Sequence, residues 1–242
     1  MTRAVGAAVL AVALLAGCGS DGDGDGDPAA TVTVRVEVPD AARTDAVAKV
    51  VGERLRALGA APVTSVTEPG VATFTVPRRL TGDEEEALTA TGRLVFRPVI
   101  ETRPPGPDCA TPSPRRADDA AEITACELGG AATYVLGPAE EIAVASANAT
   151  AQVGAVATGE WVVEVTLTDA AAWEALTTKY IGKQLAIVLD GIVQSAPTVQ
   201  EAIPGGSAHI SGEFTESESR RIAAVLEGGP LPAPVGTVTQ TG

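Results

Sequence analysis

Residues 183–234 read KQLAIVLDGIVQSAPTVQEAIPGGSAHISGEFTESESRRIAAVLEGGPLPAP. Two runs rich in branched residues, 185–189 and 191–195, meet at Asp190-Gly191. That pair accepts positive φ at both turn positions, so it predicts a tight hairpin. Residues 208–212 alternate as a third strand. Thr215, with Glu218 three residues later, has capping-box spacing and predicts a helix over 216–227, closed by Gly228. Leu231-Pro232-Ala233-Pro234 then leaves the helix in a segment that cannot continue it. Upstream, WVVEVTL at 161–167 reads as a strand, and residues 170–180 as a helix opening at Thr168 or Asp169 with Trp173 and Leu176 on one face. The order strand, helix, hairpin, strand, helix is a small α+β unit.

The first hundred residues give a second unit. TVTVRVEV at 31–38 alternates as a half-buried strand. Val47, Val50, Val51, Leu55 and Leu58 fall at helical spacing over 40–58, and Gly59 caps that helix. Residues 63–67 and 71–76 flank Glu68-Pro69-Gly70 as a hairpin. Thr81 and Glu84 open a short helix over 81–90 with a capping box, and LVFRPVI at 94–100 closes the set. The resulting βαββαβ order predicts a ferredoxin-like unit with one antiparallel sheet under two helices.

Between the units, residues 103–127 carry Pro104, Pro105, Pro107, Pro112 and Pro114, which exclude helix and central strand. Cys109 and Cys126 lie here. In an oxidising compartment an even pair predicts a bridge, which would close a loop of about 18 residues and stabilise by about 3 kcal/mol; two free thiols are the competing reading.

Several of these stretches resemble SecD, a subunit of the Sec protein-export machinery. In the family's first extracytoplasmic domain a turn with LDG, a strand with SAP, an I-x-G-x-F-T motif and a Leu-Pro-x-Pro segment follow one another. Here they stand as Leu189-Asp190-Gly191, Ser195-Ala196-Pro197, Ile210 to Thr215 with Gly212 and Phe214, and Leu231-Pro232-Ala233-Pro234. Tyr134-Val135-Leu136-Gly137-Pro138 resembles the family's Y-x-L-G-P. Residues 88–99 resemble L-x-x-T-x-x-L-x-F-R-x-V, and Arg54 with Leu58-Gly59 resembles R-x-x-x-L-G. The Pro/Cys insertion is similar to actinobacterial members. The resemblance implies a base at 31–101, an insertion at 102–132, a head at 133–234 and a tail at 235–242. It also implies engagement of exported polypeptide or of Sec translocase components. The family's proton-carrying membrane aspartate has no counterpart in the 242 residues, so a module without its own proton motor is expected.

The N-terminus supplies an address. Arg3 precedes an apolar run from Ala4 to Ala16, about 13 residues where a bilayer span needs roughly 20. Leu15-Ala16-Gly17-Cys18 then forms a lipobox, which predicts a signal peptide over 1–17, lipidation of Cys18 and a lipid anchor at the extracytoplasmic face of the cell membrane. An ordinary secretory signal with an incidental cysteine is the alternative. In Asp21 to Asp27 aspartate alternates with glycine, but an EF-hand register from Asp21 puts Val32 where the bidentate Glu belongs, and one from Asp23 puts Pro28 at the required glycine. Residues 18–30 therefore read as a spacer, with no metal or other cofactor expected. A formal charge of −14 with scattered basic residues argues against nucleic acid.

Catalytic chemistry finds no footing in the sequence. The single histidine, His209, lies in a strand pattern, and Ser195 lacks a nucleophile elbow, so a Ser195–His209–Asp190 triad is not expected. Glu84, Glu85 and Glu86 open a helix, where acids complement the dipole. The expected function is a lipid-anchored module that binds translocating or newly exported polypeptide. The alternative is an envelope scaffold or sensor derived from the same fold, and no enzyme activity is expected from either. The hairpin at Gly191 and residues 203–211 are the expected contact regions.

Overall fold

The computed structural model describes residues 31–109, 119–153 and 158–242. Residues 1–30, read above as signal peptide, Cys18 and spacer, lie outside these residues, as do Pro112 and Pro114 of the insertion. The first six elements appear in the order read from sequence: β1 (Val32–Glu37), α1 (Thr44–Ala57), β2 (Thr64–Glu68), β3 (Val71–Val76), α2 (Gly82–Thr89) and β4 (Leu94–Arg103). Thr81 makes both arms of its capping box with Glu84, and Gly59 follows α1 with φ 70°.

One expectation about this unit fails. β4 does not complete the sheet of β1, β2 and β3. The chain's last strand, β12 (Val238–Thr241), pairs with β1 instead, giving the antiparallel order β12-β1-β3-β2. Residues 235–242, expected as a tail, thus carry a sheet strand. β4 joins another sheet, of order β10-β9-β4-β6-β5, formed with β5 (Ile123–Cys126), β6 (Thr133–Leu136), β9 (Leu185–Leu189) and β10 (Ile192–Ser195). The physical reason is apolarity. LVFRPV fits a strand buried on both faces, whereas the place beside β1 is half exposed and suits VTQT.

The insertion is more regular than its prolines suggest. Its last residues form edge strand β5, and a disulfide joins Cys109 to Cys126 with Cα atoms 5.4 Å apart. Leu128 donates its amide to the Val193 carbonyl, and Glu127 bridges Val193 in parallel. The five-stranded sheet therefore curls until its two edges meet. Val95, Ala125, Tyr134, Leu136, Ala186, Val188 and Val193 fill the inside as a separate small apolar cluster. Pro98 sits in the central strand β4 because Gly137 makes room. The Gly137 amide donates to the Pro98 carbonyl, and a Cβ on Gly137 would stand 2.8 Å from the proline ring.

A third antiparallel sheet, β11-β8-β7, comprises β7 (Val144–Val153), β8 (Thr158–Leu167) and β11 (Ser207–Ser211). α3 (Ala170–Lys179) starts at Asp169, whose carboxylate accepts the Ala172 amide. α4 (Glu216–Gly228) has the capping box read from Thr215 and Glu218, but its positive-φ terminator is Gly229, not Gly228. α4 packs against α1, α2, β7 and β8. The larger apolar cluster accordingly runs without a break from Val34 and Phe74 beneath α1 to Val163, Trp173 and Ile222. The two units expected from sequence share one core, and α4 is the wedge between them.

Candidate functional site

The α1 stripe that buries Val47, Val51 and Leu55 also carries Arg54 inward, fully buried. A buried guanidinium must find acceptors or cost several kcal/mol. Here it donates to the carbonyls of Ala87 at 2.8 Å and Ala90 at 2.5 Å, at the end of α2, and to Gly229 at 2.7 Å, at the end of α4. Both helix ends carry partial negative charge, so two dipoles converge on one cation. Burial pulls the Arg54 pKa down to about 10, against the opposing charge of Asp190. Gly92 and Gly228 give the side chain its space: a Cβ on Gly92 would lie 2.4 Å from Nη2, and one on Gly228 would lie 2.5 Å from Cγ.

Asp190 occupies the other side of this knot. Asp190 and Gly191 have φ of 51° and 84°, the double positive turn expected of the hairpin. The Asp190 carboxylate accepts the Gly92 amide at 2.9 Å and the Arg93 amide at 2.8 Å, while its own amide donates to the Arg93 carbonyl. Leu231, half-buried, donates its amide to the Thr91 carbonyl at 2.8 Å. Two of the singled-out positions, Asp190 and Leu231, thus meet the loop 91–93 within one junction. A cleft of about 530 Å³ opens beside it, with Val95, Val188 and Ile123 on its floor and the segment from Pro230 to Val235, including exposed Pro232, along one wall.

Two arginines from β4 and the loop before it line the cleft. Arg93 pairs with Asp119 at 2.7 Å and Glu141 at 3.3 Å, and the hydrogen bond to Asp119 raises its pKa. Arg97, buried, donates to the carbonyls of Ala121 and Gly137 and lies 3.8 Å from Asp119. The disulfide-closed loop therefore returns a carboxylate to both cations. Sequence reasoning placed Arg54 and Arg97 in motifs but assigned them no role. A charged residue on a helix's apolar stripe, or inside a six-residue apolar strand, was the available signal.

The remaining positions also serve the scaffold. The Pro197 carbonyl accepts the Leu185 amide, the Ala196 carbonyl accepts from Gln184 Nε2, and Ser195 is buried. Gly212 lies under the Phe214 ring, 3.0 Å from where a Cβ would stand. Ser195, His209 and Asp190 are not brought together as a triad. His209 is exposed on β11 opposite Glu164, and both Asp190 oxygens are taken by amides. Gln194 is buried beside Ser195, whereas Ser207 is exposed. The Gly191 turn is half-buried against the junction and offers little free surface.

Residues 129–233 match the family model described as SecDF, P1 head subdomain. The chain is similar to protein translocase subunit SecD of Syntrophobacter fumaroxidans, 54% identical over 68 residues that span 28% of this chain and 13% of that protein. It is similar to SecD of Endomicrobium trichonymphae, 40% identical over 113 residues that span 44% of this chain and 23% of the relative. The chain thus corresponds to less than a quarter of the length of either relative. Among solved structures, SecDF in a super-membrane-facing form aligns with a TM-score of 0.63 and 26% identity, over 88% of this chain and 30% of that one. A structure described as a membrane component SecDF that enhances protein export aligns with a TM-score of 0.56 and 26% identity, over 86% of this chain and 97% of the other.

Proposed function

We propose, from the match of residues 129–233 to the SecDF P1 head model, that this protein is an extracytoplasmic accessory of protein export that binds translocating or newly emerged polypeptide. The supporting observation is the reach of the structural similarity. It covers 88% of the chain, well beyond 129–233, which supports reading the residues before the matched head as part of the same SecDF-like module. The site chemistry agrees with a binding role. Asp190, Gly212 and Leu231 are engaged in holding the fold, and the cleft offers an apolar floor with internally paired charges. In this reading Cys18 carries a diacylglyceryl anchor that keeps the module at the membrane, and residues 18–30 space it away. No helix among the described residues is long and apolar enough to cross a membrane.

The reading is tested in the living cell with a photo-crosslinking residue at exposed Ser207 while a secretory protein is arrested halfway through export. Adducts that appear only with the arrested chain support polypeptide binding. Adducts with one constant envelope protein, unaffected by arrest, point instead to a scaffold. Cys18→Ser is expected to leave the protein as uncleaved precursor or release it from membranes.

A further inference from the structure

We propose that the outer edge of β2 is a docking strand on which an extended, neutral-to-basic polypeptide segment adds as a fifth strand to the sheet β12-β1-β3-β2. The inference deepens the polypeptide-binding reading above and rests on it.

Among the described residues, β2 stands apart from every other strand edge. All five of its residues, Thr64 to Glu68, are exposed. The two most exposed large apolar residues, Val63 at 67% and Val66 at 58%, lie on it or next to it. Its pairing with β3 is continuous, without a bulge, and the strand itself holds neither lysine nor proline. Those are the devices by which exposed edges are usually blunted. Among the described residues each remaining edge has a neighbour. β10 and β5 close on each other through Leu128. β11 is met by the Trp173 indole, which donates to Ser207, and β7 by Glu227, which accepts the Ala147 amide. β12 is flanked by the loop at Leu80, bonded both ways to Gln240.

Main-chain pairing at an edge reads no sequence, which suits a surface that must accept many unfolded chains. Charge selects among the candidates. Glu68 ends the strand, and Asp45 on α1 accepts from Thr67 along its flank. With a formal charge of −14 the protein repels a second copy of itself and favours a basic or neutral segment. An added strand would place alternate side chains over Val66 and over Ser65 and Thr67.

The test uses the full chain and a fluorescein-labelled nine-residue peptide that alternates valine and threonine between terminal lysines. Two further versions are N-methylated at the odd or at the even residues. Strand addition predicts that one methylated version loses tenfold or more in affinity while the other keeps it, because only every second amide faces the edge. Val66→Lys is expected to weaken the parent peptide by a similar factor while the melting curve is preserved. Binding that ignores both methylation patterns and Val66→Lys overturns the β2 assignment and leaves the polypeptide-binding reading intact. No binding to the unmodified chain overturns the inference together with that reading. Concentration-dependent dimers abolished by Val66→Lys would assign the edge to a second copy instead.

Discussion

The junction around Arg54 and the edge at β2 lie on the same sheet-and-helix unit and are built on opposite principles. At the junction, polar groups are buried and all but the Arg54 Nε are satisfied. Arg54 donates to carbonyls at the ends of two helices, Asp190 accepts two amides, and glycines stand wherever a side chain would collide. At the edge, backbone groups face solvent and two valines are left uncovered. Side-chain identity is critical in the first region and nearly free in the second. Arg54, Asp190 and Leu231, three of the positions singled out in the sequence, meet at the junction and hold the fold together there.

Substitutions can break this contrast. Arg54→Ala removes a donor from the carbonyls of Ala87, Ala90, Thr91 and Gly229 and leaves a cavity. It is expected to lower stability by about 4 kcal/mol in urea titration, and a loss under 1 kcal/mol would remove the junction from its central place. Gly92→Ala and Gly59→Ala form a matched pair. Both glycines have positive φ, 81° and 70°, but only Gly92 faces Arg54, whereas nothing lies within 4 Å of a Cβ on Gly59. The first should cost about 3 kcal/mol and the second about 1 kcal/mol, the difference being the collision.

Acid stability gives a smaller effect. Burial alone would raise the Glu84 carboxyl, but the bidentate bonds from Arg78 and the Thr81 amide outweigh it and hold its pKa below the usual carboxylate value. A carboxylate depressed in the folded state contributes stability above its unfolded value, and this is lost as pH falls through the folded one. Glu84→Gln should therefore flatten the fall of melting temperature below about pH 4.5, with little change in the slope near pH 9. Val66→Lys should be the mildest, within about 0.5 kcal/mol of the parent.

Local signals were legible and long-range partners were not. Both capping boxes, the Asp190-Gly191 turn and the Gly59 cap depend on neighbours a few residues apart, and each appears where the sequence puts it. β4 pairs with β6 and with β9, the latter some ninety residues away; the apolarity of LVFRPV points to a strand buried on both faces but does not name its neighbours. β12 is four residues of modest hydrophobicity, so VTQT reads as a tail. β7, VASANATAQV, is rich in small residues of low strand propensity and went unread; β8 and α4 hold it in place. In the site, Asp190 and Gly191 were singled out correctly as a turn, but their contacts with Gly92 and Arg93 cross nearly a hundred residues. Arg54 could be matched to a motif, yet its acceptors come from two other helices. An exposed edge is illegible for a different reason: it is defined by what fails to pack beside it.

The most direct measurement is hydrogen–deuterium exchange of the full chain with and without the unmodified valine–threonine peptide. The account predicts new protection confined to residues 64–68, with the amides of Gly92, Arg93 and Leu231 slow and unchanged in both states. Protection across residues 230–235 and the cleft floor, with β2 unaffected, would contradict it.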